Sequence, residues 1–162
     1  MIIEDYLKKG IIKKIVETEI PRYINFFNNS YKENLEHCKF NIEKFPRWSI
    51  ISGYYAMHDV TKLFLVKKFN IKIDAKVHKI TLKIMEEITK DKEILTLLKI
   101  GYKEFTQMAA DLTEAREERQ RAQYYTGTEF MKEKYKEKAS VFLQDTVALY
   151  LNKITNLLQN EN

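Results

Sequence analysis

Three of the five arginines in this 162-residue chain fall in a six-residue window, at Arg116, Arg119 and Arg121, with Tyr124 and Tyr125 close behind. The guanidinium fork grips phosphate or carboxylate through paired hydrogen bonds that lysine cannot match. Tyrosine rings offer faces on which bases stack. Glu114, Glu117 and Glu118 are interleaved with the arginines, so ion pairing on a solvated helix end accounts for the same residues.

A second polar group interrupts an otherwise apolar stretch: His58, Asp59 and Lys62, with His78 further along. On a helix, His58 and Lys62 are four apart and Asp59 and Lys62 three apart, within touching distance. The plain reading is a salt bridge beside a satisfied histidine at the core edge. The sharper one is a polar cluster kept inside because a site needs it. His37, His58 and His78 stand about twenty residues apart, with no metal-ligand spacing. The single cysteine, Cys38, excludes an internal disulfide and any Cys-based zinc site. No glycine-rich phosphate loop or His-Glu-x-x-His occurs. Neither metal nor cofactor is expected.

The elements that must position these residues read as helices. Trp48 to Lys68 is apolar in nearly every direction on a helical wheel, which places it in the middle of a bundle. Before it, Ile24, Phe27, Tyr31, Leu35, Cys38, Ile42 and Phe45 form one stripe behind Pro21. Cys38 belongs to that stripe as a core residue, and His37 lies beside it facing solvent. Residues 2–19 carry Ile3, Leu7, Ile11 and Ile15 at helical spacing, softly broken by Gly10. Asn70 to Val77 alternates briefly but lacks a hairpin partner, and reads as a connecting loop. His78 opens a short helix through Ile80, Ile84 and Ile88. Thr89 or Asp91 caps a long one carrying Leu95, Leu98, Tyr102, Phe105, Ala109 and Leu112. The same step continued lands on Arg116, Arg119 and Gln123, so a core face becomes cationic. After Gly127, a last helix presents Phe130, Val141, Phe142, Leu149, Ile154, Leu157 and Leu158.

The expected fold is all-α: one domain over 1–162, an up-and-down helical bundle of four to five main helices plus a short N-terminal helix. A chain of this length buries roughly 70% of its unfolded surface. Four glycines and two prolines leave little for hairpin turns. The net charge of +5 is concentrated in the first half, most densely from Lys62 to Lys83, where seven lysines meet only Asp74. Such a strip attracts phosphate backbones or is simply a solvated face. Met1 to Gly10 contains no signal-peptide pattern, and no stretch suits a membrane span, so a cytoplasmic location is expected.

Ser52-Gly53-Tyr54-Tyr55-Ala56-Met57-His58-Asp59, followed by an apolar run through Leu65 and then His78-Lys79, resembles the signature of the HEPN family. Arg119-Gln-Arg121-Ala-Gln-Tyr124-Tyr125 is similar to the family's arginine-to-tyrosine element near the end of its long helix, and Ala139 to Phe142 fits the helix after it. The resemblance covers about residues 23–158 and leaves 1–20 outside as an extension. It implies a bundle, commonly a homodimer, that handles RNA or nucleotides and is often paired with a nucleotidyltransferase partner protein as a toxin–antitoxin system. Catalytic members are metal-independent ribonucleases using Arg, four to six residues, then His. Here that count from Arg119 reaches Tyr124, and no histidine follows His78. Tyrosine, with a pKa near 10, is a poor base at neutral pH.

Three functions follow. The first is a module binding nucleotide or RNA phosphate through Arg116, Arg119, Arg121 and Tyr125, with His58, Asp59, Lys62 and His78 as support. The second is a metal-independent RNase using Arg119 with Tyr124 or a histidine. The third is a bundle that binds a nucleotidyltransferase and has no ligand of its own.

Overall fold

A computed structural model describes residues 2–121 and 128–160, with side chains described over 2–110 and 132–160. The chain is an all-α bundle with a small two-stranded sheet. Its elements are α1 (Ile2–Lys8), β1 (Ile12–Lys14), α2 (Ile20–Asn41), α3 (Pro46–Phe69), β2 (Ile71–Ile73), α4 (Val77–Ile88), α5 (Lys92–Arg121), α6 (Thr128–Phe142) and α7 (Ala148–Gln159). A single π turn, Leu143–Val147, joins α6 to α7 without breaking the rod.

Helix α3 is the centre, as its all-round apolarity requires. Pro46 occupies its first turn, where the missing N–H costs nothing. Asn70, left-handed at φ 53°, ends it and returns its N–H to Leu65 and Val66. Along its length α3 packs on α2, α4, α5, α6, α7 and the π turn. Fully buried Ile50, Tyr54, Met57, Val60 and Leu65 meet Ile84, Met85, Ile94, Met108, Tyr150 and Ile154 in one continuous core. Cys38 is a buried core residue.

Two sequence expectations need correction. Residues 70–77 are not simply a loop, and residues 2–19 are not one helical segment. Ile12 pairs with Ile73, Lys13 with Lys72 and Lys14 with Ile71 in an antiparallel ribbon. Ile15 N–H to the Asn70 carbonyl and Asp74 N–H to the Ile11 carbonyl extend it at both ends. Gly10, at φ +66°, makes the turn into β1, and Ile12 is fully buried. The N-terminal segment is therefore part of the core.

The last helix also differs from its expected face. Val141 and Leu149 are exposed, whereas Thr146, Val147, Tyr150 and Leu151 are buried. The π turn supplies one extra residue, which moves the buried position from Leu149 to Tyr150, while Ile154 is buried as expected. Phe45 is likewise exposed, in the turn between α2 and α3. In α5 it is Asp91 that caps, its Oδ1 accepting the Glu93 and Ile94 N–H groups, while Thr89 Oγ1 accepts from Asp91.

Gly53 sets how closely α3 meets its neighbours. A Cβ there would lie 3.0 Å from Val147 Cγ2, 3.1 Å from Cys38 Sγ and 3.2 Å from Phe142 Cε1, with packed atoms on three sides. A Cβ at Gly101 would meet the flexible end of Met57, at 2.9 Å, and the Tyr54 ring at 3.4 Å. Gly53→Val should lower the unfolding free energy in urea titrations by ~1–3 kcal/mol through overpacking. Gly101→Ala should cost less, since Met57 can swing aside and alanine favours helix by about 1 kcal/mol.

Candidate functional site

The four polar residues picked from the sequence are brought together, in two groups around α3. Asp59 faces α2. Its Oδ2 accepts from Ser30 Oγ at 2.6 Å and Asn34 Nδ2 at 3.0 Å, and its Oδ1 lies 3.8 Å from Lys62 Nζ. His58 faces α4, with Thr81 Oγ1 3.4 Å from its Nε2. His78, at the start of α4, lies over it with ring centroids 4.6 Å apart. His58 and Lys62 make no hydrogen bond, but the Lys62 charge acts on both histidines.

Hydrogen-bond accounting assigns the His58 proton. Thr81 has one hydroxyl hydrogen, donated to the Val77 carbonyl at 2.8 Å. The Thr81–His58 contact therefore has His58 Nε2–H as donor, which leaves Nδ1 a bare acceptor. That atom is buried with no hydrogen-bond partner. A neutral Nδ1 lone pair without a donor costs far less than a buried cation. Burial first, then the Lys62 charge and His78, push the His58 pKa down to about 2. His78 is also held below the ordinary histidine value, by burial and then by Lys62, with Asp59 pulling the other way.

Aromatic rings box the pair in. Tyr54 stacks on His58, and its hydroxyl lies 2.9 Å from His78 Nδ1. Phe105 of α5 stacks on Tyr54 at 4.7 Å and meets His78 at 5.2 Å, and Tyr102 stacks on His78 at 6.4 Å. His58 is 1% exposed, so the box presents His78 and not His58 towards solvent. Burial also pushes the Tyr54 hydroxyl well above the ordinary tyrosine value. The pair accepts or donates hydrogen bonds as neutral imidazoles and is poorly placed to shuttle protons.

The arginines occupy another part of the same helix. Arg116, Arg119 and Arg121 lie on the last turns of α5, with their side chains outside the described residues, as are Tyr124 and Tyr125. At 1.5 Å per residue, Phe105 and Arg119 are about 21 Å apart along α5. His37, expected to face solvent, is exposed but hydrogen-bonds to Ser52 Oγ at 2.5 Å. Sequence reasoning missed Ser30, Asn34 and Thr81. The only sequence signal for them is their polarity at helical spacing on apolar faces.

Among the described residues, no three His, Cys, Asp or Glu side chains are grouped to hold a metal, and no helix is long and apolar enough to cross a membrane. No family model, curated protein or solved structure matches the chain.

The His58 pKa makes stability depend on pH in a definite direction. The unfolded chain takes up a proton on His58 below about pH 6.5, while the folded chain does not until about pH 2. Stability is therefore complete above pH 6.5 and falls as pH drops through that value. From pH 7 to pH 5 the His58 contribution is a loss of ~2 kcal/mol. Urea titrations at both pH values should show this loss in the parent chain and a smaller one in His58→Leu, which has no proton to take up; equal losses would refute the assignment.

Proposed function

We propose that the chain is a HEPN-like helical module that binds the phosphate of a nucleotide or RNA through Arg116, Arg119 and Arg121, with Tyr124 and Tyr125 stacking beside them. The reading extends to a homodimer and to a toxin–antitoxin setting with a nucleotidyltransferase partner. The observation that carries it is the course of α5. The helix packs its middle against the Tyr54–His58–His78 box and continues unbroken to Arg121, so one element links the two segments on which the resemblance rests.

Binding is favoured over RNA cleavage because the histidines are used elsewhere. His58 and His78 are neutral, stacked on aromatic rings and positioned against mid-α5, some 21 Å of helix short of Arg119. The histidine position of the ribonuclease spacing is held by Tyr124, and tyrosine is a poor general base at neutral pH.

Fluorescence anisotropy with a labelled single-stranded RNA tests this. Three phosphate contacts give a slope of log K against log salt of about −2, and Arg119→Ala should make it shallower by about 0.7 while weakening binding. No binding at low salt, or affinity indifferent to Arg119→Ala, rejects the proposal. RNA cut in excess EDTA by the parent chain but not by Arg119→Ala would favour the ribonuclease reading instead.

A further inference from the structure

A second cationic feature lies away from α5. A cleft of about 110 Å³ opens between α2, α3 and β2, larger than the roughly 30 Å³ that one water occupies. Lys62 and Lys72 line it, with Tyr23, Phe27 and Asp74. Its floor is apolar, from Leu65 and Ile71. Each lysine lies over an aromatic face: Lys62 Nζ is 5.3 Å from the Phe27 centroid, and Lys72 Nζ 5.2 Å from that of Tyr23. The two rings are nearly parallel, 6.3 Å apart at 22°.

The carboxylates of Asp59 and Asp74 have partners of their own, and Asp74 and Glu19 act on Lys72 from beyond ion-pair distance. Asp59 Oδ2 is taken by Ser30 and Asn34, which leaves Oδ1 at 3.8 Å from Lys62. Asp74 pairs with Lys13 at 2.9 Å. Lys72 donates to the Tyr23 hydroxyl at 3.0 Å, and among the described residues no carboxylate lies within ion-pair distance of it. Burial outweighs the pull of Asp59 and holds the Lys62 pKa below the ordinary lysine value. A partly desolvated ammonium with one long ion pair gains from any anion that enters beside it. Of the seven lysines between Lys62 and Lys83, these two are the ones that share a concave, aromatic-walled space.

We propose that this cleft is a binding site for a small amphiphilic anion, with a phosphate or carboxylate head between Lys62 and Lys72 and an apolar or planar body on Tyr23, Phe27 and the Ile71 floor. The site is independent of the arginines on α5. It needs the N-terminal segment, because β1 holds β2 in place along the cleft.

Phenyl phosphate, benzoate and inorganic phosphate, titrated into the isotope-labelled full chain and followed by amide chemical shifts, test the proposal. Phenyl phosphate or benzoate at millimolar concentration should move the amides of residues 23–27 and 71–74, and the tighter of the two assigns the head group. Inorganic phosphate should bind more weakly, having no body for the floor. Lys62→Met and Lys72→Met should each weaken binding by about tenfold, while Lys67→Met, an exposed lysine on α3, should leave it unchanged. Absent shifts, shifts confined to the end of α5, inorganic phosphate binding as tightly as phenyl phosphate, or unchanged affinity in Lys72→Met would overturn it. Lys72 is on the strand surface, so that variant decides the matter even if Lys62→Met fails to fold.

Discussion

Helix α3 is exposed only near its ends, at Trp48, Lys67 and Lys68, and the rest of the chain is arranged to cover it. Sixteen of its twenty-four residues are buried, more than any one packing partner can hide. Apolar burial supplies the drive but little direction, because it is proportional to area and indifferent to which neighbour provides it. Direction comes from the buried polar groups of α3. Ser49 donates to the Cys38 carbonyl of α2 at 2.6 Å, and Asp59 takes Ser30 and Asn34 of the same helix. His58 is answered by Thr81 of α4. Thr61 spends its hydrogen on the Met57 carbonyl, so the Tyr150 hydroxyl of α7 donates to it, at 2.6 Å. Each group finds its partner on one neighbour in one register, His58 through Nε2 alone, and a misplaced helix would leave these groups buried and bare at a cost of about 1–3 kcal/mol each.

This division explains what could be read from the sequence. A helix apolar on every side is visible in composition alone, and so are the helical stripes of α2, α4 and α5. The fold class follows from these. The ribbon was hidden because its strands are three residues long and Ile12 meets Ile73 across some sixty residues of chain; no local pattern carries that information. The exchange of Leu149 for Tyr150 on the buried face was hidden because a π turn leaves no mark in residue type.

The polar cluster was legible as spacing but not as chemistry. Offsets of three and four place Asp59 and His58 within reach of Lys62, and the Asp59 pair forms. Those offsets cannot tell that the adjacent side chains His58 and Asp59 face different helices, or that Thr81 sits opposite His58. Partners on other elements decide which proton a histidine carries, and such partners appear only once the helices are packed.

The protonation states then limit what His58 and His78 can do with an anion. A general base near neutrality needs a histidine that exchanges its proton with solvent or substrate. His58 has given its Nε2–H to Thr81 and is roofed by rings, and the Lys62 charge opposes a second proton on it and on His78 alike. The ammonium that adds to the effect of burial on these imidazoles also reaches the cleft beside Phe27. Burial keeps the imidazoles neutral and the Lys62 charge adds to it on one side, while the same ammonium offers positive charge on the other. An anion held there meets a fixed cation and aromatic faces, a combination suited to recognition and not to acid–base turnover.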